Sequence, residues 1–428
     1  MTHDLIVLGS GVAGGAVAAQ LAAAGRRVAL VGGESRRGWE GLSARSHALL
    51  LSEGVALDAL SAAPAPRRGR WAERPVEGQE WIIERSQLAA ALRAKAGSVG
   101  AEWMGTWADA IHPSDQGWRV PLRDGRTLAA PWLIDARGRR GAERRGPLLL
   151  AISQSWHRHS EAHETRIEAF DSGWCWWAQR GHRVWVQVTR RPRQGHPREW
   201  LALTAAQLPA LAAVLGDARP DGELNAYPAH ARLRVSPHHP RLWRVGDAAL
   251  ALDPLSGQGV YEALRGAKLV ATALRSVFAG GDAALAHRFV NEHQAQAFER
   301  AVRTAAGFYR ENQQRGVYWR DIADAYETLL TPAAAGAAQA RMESRPVLIE
   351  GRIVLREVLV TAQHPRGVWH VDGVPLAPLL QHLNRAHATV DSAARFLDRS
   401  PREVASAIRW LQQSDAAPQS VSRIQAGG

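Results

Sequence analysis

A single cysteine, Cys175, stands among 428 residues, so no internal disulfide is possible. That usage fits a reducing compartment, and a cytoplasmic location is the simplest expectation. Lysine is almost as scarce, with Lys95 and Lys268 the only two. Nearly all the basic side chains are therefore arginines, and they bring the formal net charge to +12. No apolar run approaches membrane-spanning length, and residues 1–8 lack the basic start of a signal peptide. There is no internal repeat, no basic helix and no known nucleic-acid module. Neither a membrane span nor a nucleic-acid partner is expected. Tyrosine and phenylalanine are few, 5 and 6, whereas tryptophan reaches 17. Such an excess of indole fills a core or walls a site for a flat substrate. The length suits two or three domains.

The chain opens on a pattern that organises the rest. Leu5-Ile6-Val7-Leu8 is an uncharged apolar run. Gly9-Ser10-Gly11-Val12-Ala13-Gly14 follows at once, then an alanine-rich stretch to Ala24, then Val28-Ala29-Leu30-Val31. This reads as strand, glycine turn, helix, strand: the start of a dinucleotide-binding unit. Gly9 permits the tight turn, Gly11 lets a pyrophosphate approach the backbone, and Gly14 lets the helix lie close. The first helical amides, at Val12 and Ala13, face the phosphates with the positive end of the helix dipole. The second strand of such a unit usually ends in an acid that holds ribose hydroxyls. Here that place is Gly32, and the nearest acid is Glu34.

Further along, Ser43 precedes a short helix over 46–52, and residues 60–78, rich in Pro, Ala and Arg, read as loop. Trp81–Arg85 reads as a strand leading into a helix over 86–96. Segments 107–111, 118–122 and 127–130 have hairpin character around Asp124-Gly125. Trp132-Leu133-Ile134-Asp135-Ala136-Arg137-Gly138 reads as a buried strand ending in a tight turn. Four strands follow, over 148–153, 166–170, 173–179 and 183–189, then a helix over 205–215. Leu242–Val245 returns to buried-strand texture, with helices to about 278 and over 284–315. Pro332–Ala340 reads as a linker. The last part shows strand texture over 348–360 and helices around 376–384, 390–397 and 402–411, with Ser400 as a cap before Pro401. Domain boundaries are expected at 1–147, 148–226, 227–343 and 344–428.

A second motif carries chemistry. Gly246-Asp247 ends a late strand and places a carboxylate where a ribityl or ribose hydroxyl can donate to it. Asp253-Pro254-Leu255-Ser256-Gly257-Gln258-Gly259 then opens a helix and offers successive backbone amides. In Gly173-Trp174-Cys175-Trp176-Trp177, Trp174 and Trp176 share one face of a strand and Trp177 takes the other. Those rings line a pocket or fill a core, and the pattern leaves both open. His157, His159 and His163 read as solvated histidines, and no metal site is expected.

Taken in order, Gly9/Gly11/Gly14, Arg85, Asp135-Ala136-Arg137-Gly138, Gly246-Asp247 and Asp253–Gly259 resemble the FAD-dependent aromatic monooxygenase superfamily. Within it the chain is most similar to the tryptophan-halogenase-like branch, over roughly residues 1–310. The resemblance implies an α/β fold: a Rossmann-like FAD-binding domain, an inserted antiparallel-sheet substrate domain and a small C-terminal helical domain. It implies FAD held by Gly9, Gly11, Val12, Ala13, Gly14, Glu34, Arg85, Asp135, Gly138, Gly246, Asp247, Pro254, Gly257, Gln258 and Gly259. Arg85 would reach an FAD phosphate and Asp247 the ribityl chain. Pro254 and Gly257 would sit beside the flavin ring, with Trp174 and Trp176 near the substrate. Halogenases of this branch resemble one another in a G-W-x-W-x-I-P segment and a lysine that carries hypohalous acid. This chain keeps the tryptophans, lacks Ile-Pro after them, and has no lysine before Lys95.

The implied reaction is hydroxylation of an electron-rich ring through a flavin C4a-hydroperoxide, with tryptophan or indole as substrate. The chain is also similar to halogenase-like monooxygenases that oxidise a tryptophan inside a small protein during quinone cofactor biogenesis. A basic body with an added C-terminal helical domain suits an acidic protein partner docking there, with dimerisation as the alternative. Only one dinucleotide fingerprint is present, so electrons come from transient NAD(P)H docking or from a partner flavin reductase. Alternatives are a halogenase-like enzyme on a small aromatic molecule, an FAD-dependent isoprenoid reductase, and a non-catalytic flavin-binding scaffold.

Overall fold

The computed structural model describes residues 3–414 except 36, 56, 58–62, 140–143, 193–195, 235–238, 331–339 and 386–387. The described chain forms two compact units, Met1–Thr272 with His293–Leu330, and Ala273–Glu292 with Thr331–Gly428.

The first unit is built on a five-stranded parallel sheet. Its order is Leu242–Arg244, Trp132–Asp135, Leu5–Leu8, Val28–Val31, Glu102–Met104. The first four strands were legible as short apolar runs, with charge only at the ends Asp135 and Arg244, because both faces of such a sheet are covered. Leu5, Ile6, Val7, Leu30 and Ile134 are wholly buried. The Val12–Ala23 helix packs on this sheet, and its Gly15 meets Leu92 of the Arg85–Ser98 helix.

A second, nine-stranded sheet supplies a broad face. Leu150–His157, Arg183–Arg190, Gly173–Arg180 and His163–Phe170 pair antiparallel in that spatial order. Ala65–Trp71 then joins parallel to His163–Phe170 and pairs antiparallel with Arg74–Glu84. The loop expected over 60–78 is thus, in its described part, mostly a hairpin. Its tip, Ala72-Glu73, has positive φ at both central residues, 48° and 61°. That turn geometry is normally signalled by Asn-Gly, and no such signal was present. Gly69 presses on the neighbouring strand, where a Cβ would stand 1.9 Å from the Ile167 carbonyl oxygen. Segment 107–111 is not a strand. The small meander is His112–Ser114, Gly117–Pro121 and Thr127–Ala130, with only an isolated bridge from Ala108 to Leu122. The expected helix over 205–215 is two helices, Pro197–Gln207 and Pro209–Leu215, divided where Pro209 starts the second.

The second unit pairs Arg341–Ile349 with Arg352–Val360 and adds helices Leu376–Leu383, Val390–Leu397 and Pro401–Gln413. Leu359, Leu379, Leu383, Val404, Ile408 and Leu411 form its core. Ser400 caps the last helix in a reciprocal pair with Glu403. Of the linker read over Pro332–Ala340, only Ala340 is among the described residues. No helix among the described residues is long and apolar enough to cross a membrane.

Candidate active site

Parallel pairing brings three strand ends to one edge: Leu8 lies opposite Asp135, and Asp135 opposite Arg244. The glycines there do different work. Gly9 has φ +109°, and a Cβ on it would stand 2.3 Å from the Ala136 carbonyl oxygen. A Cβ on Gly14 would stand 1.7 Å from the Gly9 carbonyl oxygen, so the helix start is locked onto the turn. A Cβ on Gly11 would meet nothing within 4 Å. Gly11 is also the N-cap of the Val12–Ala23 helix and supplies no side-chain cap. No side chain caps that helix start and no acid stands in its first turn, so its dipole is uncompensated there. Gly246 closes the far side, where a Cβ would come 2.5 Å from Cβ of Ala13. The two motifs, more than two hundred residues apart, meet.

Asp135 is buried and committed locally. Its carboxylate accepts from the Arg137 backbone N–H at 3.1 Å and from the Arg137 guanidinium at 2.9 and 3.0 Å. Burial pushes this carboxyl up, but the hydrogen bonds and charge of Arg137 outweigh it and hold it below its usual value. The pair shapes the turn ending at Gly138, whose φ is +79° and over which a Cβ would meet open space.

Asp247 is partly exposed and accepts from Arg139 Nε at 3.0 Å. The same guanidinium donates to the His230 and Leu252 carbonyl oxygens. Arg139 thereby fixes Asp247 and the strand entering the Asp253 loop together. Arg85 pairs with Glu40, whose carboxylate raises the guanidinium pKa, with smaller contributions from Tyr227 and Asp247. The Tyr227 hydroxyl donates to Gln187 Oε1 at 2.6 Å. Sequence reading missed Arg139, Glu40, Tyr227 and Gln187. Their charge and hydroxyl groups carry no spacing signal. The scarcity of tyrosine was a usable hint, since all 5 of the chain's tyrosines lie in the first unit.

The Gly32 departure has a steric cause. A Cβ there would lie 2.6 Å from both the backbone nitrogen and Oγ of Ser10. Glu34 is exposed, and its charge bears on Arg93, which donates to the Ser10 carbonyl oxygen at 3.4 Å. The acid and this arginine thus sit beside the glycine turn.

The Asp253 loop begins with a short turn capped by the Asp253 side chain, which accepts from the Leu255 N–H. Gly257 then takes a left-handed φ of +61°. Around Gly257 and Gly259 a Cβ would meet nothing within 4 Å, and the Gly259–Phe278 helix starts at this open place. The Gln258 N–H reaches Ser256 Oγ at 3.4 Å. Pro254 lies between the capping aspartate and this opening.

Cross-strand register shows what the broad sheet presents. Trp176 stands opposite Gln187, and Gln187 opposite Ser153. Trp174 stands opposite Thr189, and Thr189 opposite Ala151. Trp176 is half-buried, and its Nε1–H donates to Glu80 Oε1 at 3.0 Å. Trp174 is buried, and its Nε1–H donates to the Tyr309 hydroxyl. Trp177 and Cys175 lie on the reverse face, in a core with Val184, Val186, Val188 and Leu211. Burial pushes the Cys175 thiol well up, so it is not a ready nucleophile.

His230, 3% exposed, sits beside Arg139 and Arg232. Burial, then the Arg232 charge, lowers its pKa from 6.5 to about 4. The folded value is below the unfolded one, so its protonation favours unfolding. Stability is complete above pH 6.5 and falls between 6.5 and 4, by about 3 kcal/mol from this group. His230→Gln is expected to flatten that acid limb. Urea midpoints at neutral and acid pH check this, and an equal acid loss in both proteins would refute it.

Open glycine faces, the uncapped start of the Val12–Ala23 helix and the Asp247 carboxylate suit a dinucleotide bearing a pyrophosphate and a polyol. The fold is that of flavin-dependent oxidative enzymes, and halogenases share it. The chain is similar to the peptidyl tryptophan dihydroxylase QhpG, described as essential for tryptophylquinone cofactor biogenesis. The two are 29% identical, with a TM-score of 0.83 over 96% of this chain and 99% of that one. The flavin-dependent halogenase CmlS is 16% identical, with a TM-score of 0.69 over 93% of this chain and 92% of that one. The myxobacterial chondrochloren halogenase CndH is 20% identical, with a TM-score of 0.61 over 78% and 87%. These two likenesses are of fold. No sequence-family model and no curated protein sequence matches the chain.

Proposed function

We propose that this chain is an FAD-dependent monooxygenase that hydroxylates a tryptophan carried in a small acidic protein, during formation of a quinone cofactor. What supports the reading is that Gly246 packs on Ala13 and that Arg139 joins Asp247 to the Leu252 carbonyl just before the Pro254–Gly259 loop, in a chain alike along nearly its whole length to a peptidyl tryptophan dihydroxylase.

In this reading the amides of Val12 and Ala13 bind the pyrophosphate, with Arg85 and Arg93 as neighbouring cations. Asp247 accepts from ribityl hydroxyls, held in place by Arg139. Pro254 backs the flavin ring, and the amides around Gly257, Gln258 and Gly259 face its pyrimidine side. When bound, FAD supplies activated oxygen as an electrophile. The protein orients the indole, excludes water and keeps competing reactions out. Indole is electron-rich, so no strong base is needed to activate it. Trp176, braced by Glu80, is the wall against which the substrate ring lies.

The net charge of +12 favours an acidic partner, and the C-terminal unit supplies the added docking surface. Electrons come from NAD(P)H docking transiently or from a partner flavin reductase. A reducing cytoplasm suits the lone thiol. The test is to supply the purified protein with FAD, a reductant and oxygen, and to offer free tryptophan or a tryptophan-bearing acidic protein. Oxygen-mass increments on the protein's tryptophan are expected, independent of added halide. Failure to bind FAD, or halide-dependent halogenation instead, would overturn the reading.

A further inference from the structure

Three of the five tyrosines converge on one buried carboxylate that the reaction outlined above does not use. Asp253 is 2% exposed and lies directly before Pro254. Its Oδ1 accepts from the Leu255 N–H at 2.9 Å. Its Oδ2 accepts from the Tyr326 hydroxyl at 2.7 Å and from the Tyr309 hydroxyl at 3.1 Å. The Tyr309 oxygen in turn accepts from Trp174 Nε1–H at 3.2 Å. Tyr318 closes the group, with its ring 6.3 Å from that of Tyr309.

The donors fix the directions. An indole N–H can only donate, so the Tyr309 oxygen must accept it and its own proton must point to Asp253. Tyr326 and the Leu255 amide donate as well, which leaves Asp253 the acceptor of three hydrogen bonds. Burial pushes both phenols well above their usual range, so they remain protonated donors. Burial also pushes the Asp253 carboxyl up, and the bonds from Tyr326, Leu255 and Tyr309 work against that rise.

The four partners belong to separate elements. Trp174 is on the broad sheet, Tyr309 on the Ala283–Glu311 helix and Tyr326 on the Val317–Glu327 helix. Asp253 caps the turn that carries Pro254. Tyr309 also packs on Trp319, with ring centroids 5.5 Å apart, and Trp319 Nε1–H donates to the Phe170 carbonyl oxygen on the same sheet. The hydroxyl-to-carboxylate links are the polar part of an otherwise apolar seam. Geometry there is enforced more sharply than dispersion alone enforces it, because a missed bond leaves a buried polar group unpaired.

We propose that Asp253, clamped by Tyr309 and Tyr326 and tied through Tyr309 to Trp174, is the positioning residue that holds the Pro254–Gly259 loop in register with the tryptophan-bearing sheet. The consequence for catalysis rests on the flavin reading given above. The clamp itself does not. It sets where the cofactor-facing loop stands relative to the wall that orients the substrate.

The test uses the full-length protein and two variants, Tyr309→Phe and Tyr309→Phe/Tyr326→Phe, which keep ring packing and remove only hydroxyls. Hydrogen exchange is followed without cofactor, on peptides spanning 250–262 and on the parallel sheet as internal reference. Exchange in the loop is expected to quicken by about tenfold or more in the double variant, with the reference strands unchanged. With FAD added, turnover is expected to fall about tenfold to a hundredfold while KM moves little, and more peroxide is released per reductant consumed. Loop exchange equal to wild type would overturn the proposal, whatever the cofactor. So would faster loop exchange with turnover and coupling unchanged in a protein that binds FAD. Faster loop exchange in the double variant, with a wild-type chain that ignores FAD, would keep the clamp and discard the flavin reading.

Discussion

A Gly11→Leu variant is expected to unfold within about 1 kcal/mol of the wild type yet to bind FAD at least about a hundredfold more weakly. Gly11 has φ −75° and ψ −168°, an extended conformation open to any residue, and a Cβ there meets nothing within 4 Å. The fold loses only a tolerable N-cap. The cofactor loses its approach, because an isobutyl group would stand where the pyrophosphate must come within hydrogen-bonding distance of helix amides. Gly14→Ala, a smaller change three residues on, is expected to do the reverse. Its methyl would lie 1.7 Å from the Gly9 carbonyl oxygen, so the helix must shift or the turn must open, at a cost of about 3 kcal/mol or more. Urea denaturation and flavin titration on both variants separate the two roles. Undiminished FAD affinity in Gly11→Leu would remove the pyrophosphate from this turn and with it the cofactor assignment.

The second large effect is expected from two neighbouring tryptophans. Trp177→Ala empties a wholly buried volume on the reverse face of the sheet and should cost about 3–5 kcal/mol. Activity per folded molecule should survive, because that face looks onto the Pro197–Gln207 and Pro209–Leu215 helices, not the site. Trp176→Ala removes a half-buried ring and the hydrogen bond to Glu80, so its stability cost is smaller. Its kcat/KM for the tryptophan substrate is expected to fall about a hundredfold, or about 3 kcal/mol of transition-state stabilisation. Denaturant midpoints and steady-state kinetics on the same preparations decide it. Equal kinetics in the two variants would mean that Trp176 is core filling and that the substrate ring lies elsewhere.

Local chemistry accounts for what could be read early. The strands Leu5–Leu8, Val28–Val31, Trp132–Asp135 and Leu242–Arg244 announced themselves because a sheet covered on both faces favours short apolar runs, with charge left to the strand ends Asp135 and Arg244. The Ser400 cap was legible because hydroxyl, proline and glutamate stand at fixed offsets. The Ala65–Glu84 hairpin was not. It is rich in charge, with Arg67, Arg68, Arg70 and Arg74 among Glu73, Glu77, Glu80 and Glu84, and its turn uses Ala72-Glu73 in a conformation those residues seldom adopt. Pairing with His163–Phe170 supplies the bonds that hold it there, and that strand lies about a hundred residues away.

The same division runs through the site. Sequence by itself determined the glycine turn, the Gly246-Asp247 strand end and the capped Asp253 loop. Each is a short-range device whose residues are neighbours in the chain. Tertiary structure alone decided that Gly246 meets the glycine turn at Ala13, that Arg139 braces Asp247, that Trp174 is buried while Trp176 is half-buried, and that Tyr309 and Tyr326 close on Asp253. The reason is the range of the forces. Backbone conformation and capping act over a few residues, whereas a buried carboxylate takes its partners from whatever elements packing brings within about 3 Å.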